Sequence, residues 1–133
     1  VTPSNRSNQL SGEQGGTTVV EKKQTTKLLA KLASWPAPYR EVGERIHQIV
    51  LDAVPALRPK LWYGEAGYAV SGPVQIFFRV DQYMSFGLTE KAQLSVDDGA
   101  PDLLIESAWF IKELDGPTEK RIAAIVCVKR LAE

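Results

Sequence analysis

Apolar and polar positions divide the chain into a polar opening, two segments of helical period, a block of period two and a closing helical segment. Residues 1–24 are rich in Ser, Asn, Gln, Gly and Thr, and Leu10, Val19 and Val20 are among their few apolar groups. That is too little apolar surface to offset the entropy of ordering, so a flexible tail is expected over 1–24 and a single domain over 25–133. In "TTKLLAKLA", Leu28, Leu29 and Leu32 are expected on one side of a short helix, with Thr25 or Thr26 placed to cap its first turn. "SWPAP" ends it. Val42, Ile46, Ile49, Val50 and Ala53 then recur at the spacing of a core-facing stripe, which predicts a helix from about Tyr39 to Val54, stopped by Pro55 and Pro59.

Past Pro59 the period becomes two. In "PVQIFFRV", Val74, Ile76, Phe78 and Val80 are predicted on one face of a strand, and Gln75, Phe77 and Arg79 on the other. Met84, Phe86 and Leu88 form the apolar side of the next strand. A connection over Asp81 to Tyr83 pairs Val80 with Met84, Phe78 with Phe86 and Ile76 with Leu88, because any odd shift would set these groups on opposite faces. In "YAVSGPV" a Ser71-Gly72 turn would align Ala69 with Val74 and Gly67 with Ile76, putting Tyr68 beside Gln75. Glu106 to Leu114 is predicted as a further strand. "DGPTEKRIAAIVCVKRLA" closes the chain as a helix with Asp115 near its cap, Pro117 in its first turn, and Ile122, Ile125 and Val126 inward. Strands in one block between helices predict an α+β fold, an antiparallel meander packed against N- and C-terminal helices.

Composition narrows the function more than it defines it. An apolar share of 44% and a charged share of 24% over 133 residues are those of one globular domain. Sixteen basic residues balance sixteen acidic ones, so nothing draws the whole molecule to nucleic acid or to an anionic membrane. The single Cys127 forms no internal disulfide and suits a reducing compartment, so a cytoplasmic location is expected. No apolar run approaches the roughly 20 residues needed to cross a bilayer.

Four features are candidates for chemistry. The glycines of "GEAG" match those of a KH-type nucleic-acid loop. However, they follow a Pro-broken segment, lead into a strand and place Glu65 where a phosphate would sit, so nucleic-acid binding is not expected. His47 and Cys127 are single residues, and the spacing of the chain does not bring them together as a catalytic dyad; no enzyme activity is expected. Carboxylates Glu41, Glu44 and Asp52 along the second helix are candidate ligands for a hard cation, interrupted by Arg45. Last is the second face of the sheet: Tyr68, Phe77 and Arg79 beside Ser85, Gly87 and Thr89, rimmed by Trp62, Tyr63 and Glu65. The predicted register makes Gly87 the neighbour of Phe77, which leaves room over that ring for packing or for a ligand.

"RPKLWYGEAGYAVSGPVQIFFRVDQYMSFGLTEKAQL" followed by "ESAWFIKELDGPTEKRIAAIV" resembles the YdhG-like domain-of-unknown-function family over residues 35–131. Some of its members are described as frataxin-like intracellular iron chaperones. The resemblance implies a helix ending in Pro, a Tyr-Gly pair with a second glycine, a hairpin, a strand containing "FG" and a closing helix. It also implies a non-enzymatic binding protein, with iron as the one cofactor to consider and Glu41, Glu44 and Asp52 as the nearest equivalents of the frataxin-like acidic ridge. The alternative is a module that takes a small molecule or peptide on the aromatic sheet face, or a structural, oligomerising domain, as monomer or homodimer.

Overall fold

The computed structural model describes residues 19–128. Helices α1 (Val19–Ala33), α2 (Tyr39–Ala53) and α3 (Gly116–Val128) accompany strands β1 (Arg58–Trp62), β2 (Glu65–Ala69), β3 (Ile76–Val80), β4 (Met84–Leu88) and β5 (Ala108–Ile111). The five strands form one antiparallel sheet in chain order, the α+β meander that the periodicity predicts.

Helix α1 includes residues 19–24, which composition assigns to the tail; residues 1–18 of that tail lie outside the described residues. Contacts with β1 supply what the local composition lacks. Glu21 lies 3.8 Å from the Arg58 guanidinium, and the Gln24 side-chain oxygen accepts the Leu61 N–H at 3.3 Å. Thr25 and Thr26 are consequently inside the helix and do not cap it: their hydroxyls donate to the carbonyls of Glu21 (2.9 Å) and Lys22 (3.0 Å). Leu28 and Leu32, four residues apart, are fully buried, whereas Leu29 lies about 100° around the helix and is exposed.

The predicted stripe of α2 is the observed one, with Ile46, Ile49 and Val50 buried. Asp115 caps α3 by accepting the Thr118 N–H at 2.9 Å, and hydrogen bonds from the Thr118 side chain and backbone hold its carboxyl below the usual range. Ile122 and Val126 are buried and Ile125 is half-buried. Arg45 on α2 ties down α3 through two N–H bonds to one Glu119 oxygen, at 2.8 and 3.1 Å.

Residues 58–62 pair with β2 although Pro59 reads as a breaker in the sequence. The Leu61 N–H points away from β2 toward Gln24, and outward positions alternate along an antiparallel strand. Pro59 therefore also faces outward, where β2 requires no N–H from it. Trp62 pairs with Glu65 around Tyr63 and Gly64, both at positive φ (52° and 77°), the signature of a type I′ hairpin turn.

Between β3 and β4 the predicted register is observed pair for pair. Between β2 and β3 it is displaced by one residue. The Gln75 N–H donates to the Tyr68 carbonyl at 2.8 Å, the contact a tight Ser71-Gly72 turn implies, yet Tyr68 pairs with Ile76 and Gly67 with Phe77. Two consecutive residues, Gln75 and Ile76, thus oppose Tyr68, which is a β-bulge. Because side chains alternate, this single extra residue sends Tyr68 to the helix-covered face. Val74, expected there, is instead buried over Gly67 on the other face. Strand β5 is shorter than the predicted span of Glu106 to Leu114: Ile111 already pairs with Met84, the first residue of β4, and beyond it no partner strand continues.

The core fills the space between the helices and one face of the sheet. Leu28, Leu32, Trp35, Ile46, Ile49, Val50, Ile122 and Val126 from the helical side meet Ala66, Tyr68, Ile76, Phe78, Met84, Phe86 and Leu88. The opposite face carries no helix among the described residues.

Candidate binding site on the outer face of the sheet

The uncovered face is built around a row that the pairing fixes across five strands: Lys60, Gly67, Phe77, Gly87 and Ala108. Phe77 sits between two glycines. A Cβ on Gly87 would fall 2.7 Å from the tip of the Phe77 ring, so that ring lies directly across the glycine backbone. On Gly67 a Cβ would meet the Trp62 Cβ at 2.8 Å and Val74 at 3.1 Å. The glycines therefore form the floor on which the aromatic side chains lie down, and this is the first of the two outcomes open in the sequence. Trp62 packs against Phe77 with ring centroids 5.3 Å apart, and Tyr63 stands edge-on to Trp62 at 5.0 Å.

Beside Trp62 lies a cavity of about 480 Å³, walled by Trp62, Tyr63, Pro73 and Val74 and edged by Lys60, Thr89, Glu90 and Lys91. Its volume falls in the range of small-molecule sites. The polar edge is partly fixed. The Lys60 ammonium donates to the Gly72 carbonyl at 2.9 Å, and the Thr89 hydroxyl donates to the Val74 carbonyl at 2.7 Å. Lys91 is exposed. Two lysines against one glutamate give the mouth a positive balance. Glu65 pairs with Trp62 on the same face, and its Oε1 is buried without a hydrogen-bond partner among the described residues. Arg79 is exposed on this face.

Of the predicted platform residues, Trp62, Tyr63, Glu65, Phe77 and Arg79 share the outer face, but only Trp62 and Tyr63 line the cavity. Tyr68 does not belong there. The bulge places it in the core, its ring stacked on Phe78 at 5.8 Å and its hydroxyl oxygen 2.7 Å from Nδ1 of His47. Thr89, expected on this face beside Gly87, lines the cavity as well, whereas Lys60, Val74 and Lys91 were not anticipated. Lys60 stands two residues before Trp62, so it shares that face once residues 58–62 are recognised as a strand, a signal that Pro59 conceals.

His47 is the half-buried partner of the buried Tyr68. Cys127 is exposed, and its Sγ contacts the Ala53 carbonyl at 3.6 Å beside a groove of Arg45, Ile49 and Asp52. Burial holds the Tyr68 phenol protonated well above its ordinary range and pushes the His47 imidazole below its usual value of 6.5. As pH falls, the unfolded chain takes up a proton at this histidine before the folded chain does. The stability His47 confers is thus complete above the unfolded pKa and declines as pH drops from there toward the folded value. The difference in melting temperature between wild type and His47→Gln is expected to change over that window and to be flat above it. A pH-independent difference would contradict the burial.

On α2 the acidic residues are distributed, not gathered. Glu41 is 3.3 Å from the Arg40 guanidinium, Asp52 accepts from the Gln48 amide at 2.8 Å, and Glu44 is exposed. Among the described residues, no three His, Cys, Asp or Glu side chains come together as metal ligands. Asp97 and Gly99 belong to a turn closed by the Ala100 N–H on the Asp97 carbonyl, and Asp102 accepts the Leu104 N–H. No helix among the described residues is long and apolar enough to cross a membrane.

No family model matches the chain, and neither a curated protein nor a solved structure matches it at a significant level.

Proposed function

We propose that this chain is a non-catalytic binding module whose ligand lies on the outer face of the sheet, in the cavity beside Trp62, and is a small planar molecule with an anionic group. The observation that carries this reading is Tyr63. It is 88% exposed, it occupies a turn position at φ 52°, and it holds its ring against Trp62. Asparagine fills such a position with less strain, and left-handed backbone disfavours an ordinary side chain by about 1–2 kcal/mol. A strained, exposed aromatic at the rim of a cavity is better accounted for by binding than by folding. The Trp62 ring offers a flat apolar wall, and Lys60 and Lys91 favour a carboxylate or phosphate at the mouth.

The test is a screen of small aromatic carboxylates and phosphates, read from the indole N–H resonances of the three tryptophans. Ligands are expected to shift Trp62 and leave Trp35 in place, and Trp62→Ala or Lys60→Ala is expected to weaken binding about tenfold or more. Tyr63→Asn is expected to raise stability by about 1 kcal/mol while lowering affinity. If no compound in the screen shifts Trp62, or if those that bind do so equally well after Trp62→Ala, the reading fails.

A further inference from the structure

The two edges of the sheet are finished in different ways. On β1 the outward backbone positions are Pro59, which has no N–H, and Leu61, whose N–H is taken by Gln24. That strand also carries Arg58 and Lys60, and α1 packs along it. Proline, charge and a covering helix are the usual means by which sheets prevent edge pairing.

Among the described residues, β5 has none of these. Its residues are Ala108, Trp109, Phe110 and Ile111, with no charge and no proline. The Leu88 N–H donates to the Ser107 carbonyl at 2.6 Å, which sets the phase of the ladder. Ser107, Trp109 and Ile111 address β4, while the N–H and C=O groups of Ala108 and Phe110 point away from it. Apolar surface collects at this edge. Phe110 is 77% exposed with the exposed Tyr83 ring 5.5 Å away, and Leu103, Leu104 and Ile105, which lead into the strand, are exposed as well.

We infer that β5 pairs antiparallel with β5 of a second copy of this chain, about a two-fold axis at Trp109, so that two five-stranded sheets become one of ten strands. The edge is self-complementary in this register. Each Ala108 faces the second copy's Phe110, so the outward N–H and C=O groups of both residues find partners and the small side chain leaves space for the large ring. On the helix-covered side, the cleft between β5 and α3 measures about 390 Å³ and is lined by Phe86, Trp109, Ile111, Arg121, Ile122 and Ile125. It has room for a large apolar side chain next to Trp109, which is what the second copy's Trp109 would bring there. The exposed side chains named above are large enough for two copies to bury on the order of 1,000 Å², the lower limit for a specific interface.

Sedimentation equilibrium of the full chain over a wide concentration range, with amide hydrogen exchange at both ends of it, tests the pairing. The expected mass doubles with concentration, and the Ala108 and Phe110 amides become protected in the dimer. Ala108→Pro removes an N–H that the monomer does not use, and Phe110→Lys places a charge on the edge through an exposed side chain. Each is expected to weaken dimerisation at least tenfold with an unchanged circular dichroism spectrum; should Ala108→Pro fail to fold, Phe110→Lys carries the test. A monomer at every concentration overturns the inference and leaves the edge to a different chain. A dimer that survives Phe110→Lys, or one whose Ala108 and Phe110 amides exchange freely, overturns it too.

Discussion

Tyr68→Ala is expected to remove about 3–5 kcal/mol of stability, the range for deleting a large buried aromatic. Against a total of about 5–15 kcal/mol for an ordinary domain, that brings the fold close to its limit. The expectation follows from the bulge at Gln75 and Ile76, which turns Tyr68 into the core, where it is fully buried and stacked on Phe78. Tyr68→Phe keeps the ring and gives up only the hydroxyl. With His47 half-buried and open to water, its cost is expected near 1 kcal/mol. Urea denaturation of both variants separates the two registers. In the unbulged hairpin Tyr68 would lie on the uncovered face, and its truncation would cost no more than about 1 kcal/mol.

That one residue also shows where sequence reading stops. The period-two pattern of Ile76, Phe78 and Val80 against Met84, Phe86 and Leu88, with the short connection over Asp81 to Tyr83, specifies the β3–β4 register because any odd shift exposes an apolar row, and the structure has that register. The β2–β3 hairpin offers no such constraint. Gly67, Ala66 and Ala69 carry little side chain to bury, so Tyr68 alone chooses the face, and a tyrosine is compatible with either. The bulge is a backbone event that leaves no mark in the order of residues. β1 was hidden for a different reason: Pro59 breaks a strand only where its missing N–H is needed, and edge position cannot be read before the neighbours are known. The start of α1 depends on Glu21 and Gln24 reaching β1, tertiary contacts that outweigh a polar local composition. At the site, the aromatic pair Trp62 and Tyr63, the Phe77–Gly87 contact and the place of Thr89 on the same face were legible, while Lys60, Val74 and Lys91 converge only through the fold.

Gly87→Ala is expected to destabilise the protein by about 1–3 kcal/mol, the cost of overpacking a closed contact. The new methyl would stand 2.7 and 2.9 Å from two atoms of the Phe77 ring and 3.0 Å from the Ser107 carbonyl oxygen. These neighbours yield differently. The ring is half-buried on a solvent-facing sheet and can swing outward, whereas the carbonyl accepts the Leu88 N–H and is held by the ladder. Displacing the ring would open the Trp62–Phe77 contact, so the near-ultraviolet circular dichroism of the aromatic groups should fall together with the denaturation midpoint. A double-mutant cycle identifies the cause. Phe77→Ala alone loses the packing of the ring over Gly67 and Gly87, but in its presence Gly87→Ala should cost markedly less than in the wild type, because the main obstacle is gone and only the carbonyl contact remains. Strict additivity would mean that the glycine is required by the backbone alone. The ring and the glycine would then be independent, and the aromatic floor of the proposed site would lose its structural basis.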